Sequence, residues 1–116
     1  MNSTATTVVI TGFGAVTALG ADVASTWPRL LAGDDAQSPI TLFDVAGCRC
    51  QRGAEVKLPE LPEVDPRRLR RWSRASRLAA PAFREALTSA NLLDPDGRSR
   101  LPFVCFSVFG VVYCSA

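Results

Sequence analysis

The 116-residue chain contains no histidine. That absence excludes Ser-His and Cys-His nucleophile pairs and any histidine-ligated metal within these residues. An excess of one charge is also missing. Thirteen basic residues stand against 11 acidic ones, and a net charge of +2 does not announce a nucleic-acid partner. No apolar run reaches the roughly 20 residues of a membrane-spanning helix. The uncharged apolar stretch Leu101–Ala116 is interrupted by Pro102, Ser107 and Gly110, and its Phe and Val content reads as a buried strand. Met1–Thr7 has no basic leader region and Val8–Ile10 is too short for a signal core. A cytoplasmic protein with no membrane partner is therefore expected.

The four cysteines, Cys48, Cys50, Cys105 and Cys114, form neither a C-x-x-C motif nor a zinc-ribbon pattern. Ordinary reduced thiols are expected, with no metal site and no disulfide framework. Zinc would require Cys105 and Cys114 to fold back onto the Cys48–Cys50 pair. The remaining composition is that of a folded piece with a single core: 47% hydrophobic and 21% charged residues, with mean hydropathy +0.14.

Along the chain, Thr7–Thr11 is β-branched and predicts a buried strand. Gly12 and Gly14 allow a tight exit and close backbone contact, and Leu19–Gly20 closes the loop. Asp22–Ala32 predicts a helix with Asp22 at its positive end and Gly33 just past its last residue. Pro28 should shorten or kink it, or move its start toward Thr26. Ile40–Asp44 is a short apolar segment, and a strand is expected around Gly53–Val56. Pro59, Pro62 and Pro66 make 58–66 an extended connector. Asp65–Pro66 then reads as an N-cap and first helical residue, opening a helix that continues to about Leu93 with a kink at Pro81. Asp96–Gly97 marks a turn before the last strand. The order β-α-β-α-β predicts an α/β fold.

The segment Gly12-Phe13-Gly14-Ala15-Val16-Thr17 follows a strand as a dinucleotide loop does, but Thr17 replaces the third glycine. Asp34–Asp35 follows the helix with no second strand between, so a structural turn is the preferred reading.

Val8-Val9-Ile10-Thr11-Gly12-Phe13-Gly14-Ala15-Val16-Thr17-Ala18-Leu19-Gly20 resembles the opening strand and loop of β-ketoacyl-[acyl-carrier-protein] synthases, the condensing enzymes of fatty-acid and polyketide synthesis. The resemblance continues in order through Ser25-Thr26-Trp27, Leu30-Leu31-Ala32-Gly33, Pro39-Ile40-Thr41-Leu42-Phe43-Asp44, Ala54-Glu55-Val56-Lys57 and Arg84-Glu85-Ala86-Leu87. It implies a partial, truncated thiolase-like α/β fold, the N-terminal β-α-β-α-β portion of a protein usually built as two similar halves in a homodimer. On this reading 1–6 is a flexible N-terminus, 7–93 the synthase-like segment, and 94–116 a divergent loop and apolar terminal strand. Gly12, Gly14 and Gly20 are its structural loop residues.

The family performs decarboxylative Claisen condensation with a cysteine nucleophile and two histidines. The nucleophile belongs in an Ala-Cys-Ser type turn beyond Ala116, and none of the four cysteines sits in that context. No catalytic residue is therefore expected here, and this N-terminal fragment is expected to be inactive alone. A premature end after a reading-frame shift would explain the apolar tail. No resident cofactor is expected, because phosphopantetheine would arrive on the acyl carrier protein.

Arg67, Arg68, Arg70, Arg71, Arg74 and Arg77 form the one concentrated charge. On a continuous helix Arg67, Arg70, Arg74 and Arg77 share a face away from Leu69, Trp72, Ala79 and Phe83, with Arg71 at its edge. A solvated face is the plain reading. The resemblance, aligned on Trp72, implies that Arg67, Arg70 and Arg71 contact acidic acyl carrier protein. Two alternatives stand beside it. One is a non-catalytic module binding carrier protein or a full synthase. The other is a basic RNA-binding α/β domain, which lacks an evident stacking platform because Trp72 points to the apolar side. The terminal strand with Trp27, Phe83 and Phe103 is expected to leave apolar patches when the chain is alone.

Overall fold

The structure is a computed structural model, and it describes Thr7 and residues 9–98. The expected flexible N-terminus (1–6), the terminal strand, Phe103, Cys105 and Cys114 lie outside the described residues.

The described elements are α1 (Val23–Ala32), β1 (Ser38–Pro39), β2 (Arg52–Gly53), α2 (Pro66–Leu69) and α3 (Arg74–Ser89). α1 begins where local chemistry dictates. Asp22 Oδ1 accepts from Ser25 N at 2.7 Å, and Ser25 Oγ accepts from Asp22 N at 3.3 Å, a reciprocal cap. Gly33 ends it in the left-handed region at φ 73°, a conformation that a Cβ would disfavour. Pro28 neither shortens the helix nor moves its start: α1 runs from Val23 through it. A firm cap tolerates the one backbone donor that proline removes.

The opening strand is a correction. Thr7 and residues 9–11 carry no strand, and Val9 and Ile10 are 67% and 89% exposed. β-branched residues favour an extended chain, but a strand also needs a partner, and no strand lies beside them among the described residues. The strand expected around Gly53–Val56 is reduced to β2, which pairs antiparallel with β1 in the register Ser38 opposite Gly53 and Pro39 opposite Arg52. Ile40 N adds a bond to Gln51 O at 2.9 Å.

The long helix is a second correction. It is two helices. Asp65 caps α2 through Arg67 N at 2.6 Å, with Pro66 opening it as expected. Ser73 then takes an extended conformation and its Oγ accepts from Ser76 N at 3.1 Å, starting α3 afresh. A serine hydroxyl competes with the helical backbone, so the chain restarts there rather than running through. α3 passes through Pro81 and ends at Ser89, short of Leu93. Asn91 reverses the chain at φ 59°, a conformation that asparagine tolerates, and Leu92 N bonds Leu87 O at 2.9 Å. The Asp96–Gly97 turn forms as expected, with Gly97 N on Asp94 O at 2.8 Å.

The glycine loop rests directly on α3. A Cβ on Gly14 would stand 2.0 Å from Ala82 O, and one on Gly12 would stand 2.4 Å from Ala86 O. Only a residue without a side chain permits that approach. Buried apolar residues are few: Leu61 in the connector and Leu87 in α3 are the buried ones among the described residues. Phe13 and Trp27 stay 66% and 56% exposed around an apolar cleft of about 330 Å³ completed by Val23, Ala24 and Pro28. The expected apolar patch is thus present at Trp27, whereas Phe83 is half-buried in α3.

Candidate functional site

The arginine segment is built by α2 and the turn after it. Leu69 N bonds Asp65 O and Arg70 N bonds Pro66 O, each an α-type turn. Arg71 N then bonds Arg68 O at 3.0 Å and Trp72 N bonds Leu69 O at 3.2 Å, which tightens the end into 3₁₀ geometry. Four exposed guanidiniums, those of Arg67, Arg68, Arg70 and Arg71, project from this short unit. Among the described residues none of the four makes a side-chain hydrogen bond or an ion pair.

Arg74 and Arg77 are different, and the shared face expected for Arg67, Arg70, Arg74 and Arg77 does not exist. The break at Ser73 puts the last two on α3. Arg74 donates to Val56 O, and Arg77 Nη2 donates to Leu69 O at 2.8 Å. Arg77 Nε is buried without a partner among the described residues. Both side chains therefore fasten the turn and the connector to α3. The structure brings Arg67, Arg70 and Arg71 together and adds Arg68, which the sequence alignment on Trp72 passes over. The signal that could have separated the two sets is Ser73 itself, a preferred N-cap residue inside the supposed helix.

Near Arg74, Glu55 accepts from Thr41 N at 2.9 Å, Thr41 Oγ1 at 2.8 Å and Leu42 N at 2.9 Å. The Leu42 bond first, then the Thr41 hydroxyl, hold its carboxyl below the usual range, and the Arg74 charge adds to the effect. Asp22 is lowered too, chiefly by the Ser25 hydroxyl.

The glycine loop holds its polar groups inward. Thr17 Oγ1 accepts from Leu19 N and Gly20 N, each at 3.1 Å, and a Cβ on Gly20 would stand 2.3 Å from Ser25 Oγ. Glu85 was quoted in the sequence only as part of a motif. Its carboxylate takes Ala15 N at 3.0 Å and Val23 N at 2.9 Å, joining loop, α1 and α3. With backbone donors already engaged by this chain's own carboxylate, the loop has the form of a structural joint rather than a phosphate cradle. Cys48 and Cys50 are exposed free thiols, and no group of three potential metal ligands occurs among the described residues. No helix among the described residues is long and apolar enough to cross a membrane.

The glycine loop is seated on α3, and the cationic turn immediately precedes that helix in the chain. The chain belongs to the β-ketoacyl synthases: the family described as "Beta-ketoacyl synthase, N-terminal domain" matches residues 5–113. That membership carries a thiolase-like α/β class, and the match takes in residues beyond the last quoted block at Leu87. The chain is 41% identical over 86 residues to Nodulation protein E of Rhizobium sp. (strain N33), covering 73% of this chain and 21% of that protein. It is 39% identical over 89 residues to the tetracenomycin polyketide synthase ketoacyl synthase alpha subunit of Streptomyces glaucescens, covering 76% and 21%. It is 33% identical over 87 residues to 3-oxoacyl-[acyl-carrier-protein] synthase 2 of Synechocystis sp. (strain ATCC 27184 / PCC 6803 / Kazusa), covering 74% and 21%. The matched stretch thus spans about a fifth of the length of these curated relatives.

Proposed function

We propose that this chain is the N-terminal part of a β-ketoacyl-[acyl-carrier-protein] synthase of fatty-acid or polyketide synthesis, and that its own contribution is scaffold and a carrier-docking surface at Arg67, Arg70 and Arg71. The observation that carries the docking role is the set of exposed guanidiniums on α2 and its exit turn that have no partner among the described residues. Arginine matches carboxylate and phosphate geometry through forked hydrogen bonds, which suits an acidic carrier protein. The acyl-transfer chemistry needs a thiolate that attacks and leaves thioesters, with hydrogen-bond donors for the enolate formed as carbon dioxide departs. These 116 residues contain no histidine, and Cys48 and Cys50 stand exposed on a loop, so the described residues supply none of that machinery. The chain itself holds no cofactor on this reading; phosphopantetheine comes with the carrier. The homodimeric assembly of the full-length protein belongs to the same proposal.

Titration calorimetry of the chain with acyl carrier protein at rising salt tests the docking role. Binding that weakens with salt and is lost in the R67A/R70A/R71A variant is expected. Binding unaffected by the three substitutions overturns it. The missing imidazole also favours a second reading, a non-catalytic module that pairs with a full synthase subunit. Native mass spectrometry of the chain with carrier protein and with a full-length synthase separates the two readings.

A further inference from the structure

The turn that ends α2 carries a feature that the three-arginine assignment leaves out. Arg71 N bonds Arg68 O at 3.0 Å, an i to i+3 closure, and in 3₁₀ geometry side chains three apart stand one above the other. Arg68 and Arg71 are therefore neighbours on this turn, both exposed, and neither meets a carboxylate among the described residues. Arg67 and Arg70, also three apart and exposed, form a second pair beside them. Like charges at this spacing repel one another in the free chain. The carboxylate of Asp65, at the start of the same helix, accepts from Arg67 N at 2.6 Å and is engaged as the helix cap.

We propose that Arg68 and Arg71 act as one clamp for paired carboxylates on the surface of the partner protein, so that Arg68 is a fourth docking residue with a weight comparable to Arg71. The inference rests on the carrier-docking reading above. Two guanidinium forks on one short turn, unopposed from within, match two acidic side chains one helical turn apart on a partner helix. Relief of the mutual repulsion of Arg68 and Arg71 on binding couples the two residues, so neither substitution alone has the full effect of both. Carboxylates of the partner protein, rather than the phosphate of its prosthetic arm, are the assigned occupant, because two exposed guanidiniums, one on α2 and one on its exit turn, can each take a carboxylate, whereas a single phosphate would have to be shared between them.

The test is calorimetry of the intact chain with apo-carrier protein, which lacks the phosphopantetheine arm, and with holo-carrier, using wild type, R68A, R71A and R68A/R71A. R68A is expected to weaken binding about threefold to tenfold with either carrier form, and the double variant to depart from the product of the two single effects. Arg68 is exposed and its side chain makes no hydrogen bond or ion pair among the described residues, so unfolding curves of R68A should overlay the wild type. A wild-type affinity for both forms that R71A lowers and R68A does not would overturn the clamp while leaving the docking reading intact. An R68A effect confined to holo-carrier would assign the site to phosphate and overturn the carboxylate assignment. No binding by the intact chain would overturn the docking reading and the clamp together.

Discussion

The glycine loop and the arginine turn treat polar groups in opposite ways. Around the loop, charges and hydroxyls face inward. Glu85 holds two backbone donors, Thr17 holds two more, and Asp22 closes a reciprocal cap with Ser25. On α2 and its exit, four guanidiniums extend into solvent with no counterpart among the described residues. A polar group used to hold the fold is matched from within, whereas one left unmatched at high charge density is available to something outside. Arg74 and Arg77 make the contrast within a single run of sequence, because they resemble their neighbours in type yet fasten onto Val56 O and Leu69 O.

The sharpest way to break the comparison is at Gly14. A valine there places a side chain where the Ala82 carbonyl already lies, so the loop must lift from α3. A loss of about 3 kcal/mol is expected in urea unfolding of G14V, with no direct effect on the arginine turn. Next comes Glu85. Removing its carboxylate in E85A strands the amides of Ala15 and Val23, and a loss of about 2 kcal/mol is expected in the same assay. If E85A unfolds like wild type, the inward-facing half of the comparison is wrong.

Acid sharpens the contrast with a smaller effect. Glu55 is held below its ordinary range when folded, so its contribution is present above the unfolded carboxylate value and disappears as the pH falls through the lower folded value. Acid titration followed by circular dichroism should show E55Q with a shallower loss of stability below the usual carboxylate range than wild type. The least change is expected at the arginines. R67A/R70A/R71A should unfold within about 0.5 kcal/mol of wild type, since those side chains hold nothing in place. A large destabilisation would mean that the turn is structural.

Features set by neighbouring residues were legible in the sequence. Asp22 and Gly33 bound α1 because capping and left-handed chain reversal are short-range chemistry. Asp65–Pro66 opened α2 for the same reason. Ser73 carried an equally local signal, but the helical face of Leu69, Trp72, Ala79 and Phe83 suggested one continuous helix and masked it. The role of Glu85 could not be read at all, since Ala15 N is 70 residues away and nothing near Glu85 points to it. The opening segment failed for a related reason: its β-branched residues state a preference, but strand formation depends on a neighbour that local sequence does not specify. At the site, the basic residue types were visible early, and what distinguished free from fastened arginines was the position of backbone carbonyls.

The seat of Gly12 and Gly14 on α3 also sets an order of events during synthesis. The loop emerges from the ribosome before α3, yet the carboxylate that pins it is made 70 residues later. At about 5–20 residues per second, the nascent loop waits on the order of ten seconds before it can lock. The loop thus cannot become native until α3 has followed it, and codon-level pauses between the loop and α3 would lengthen the interval in which it stays unprotected.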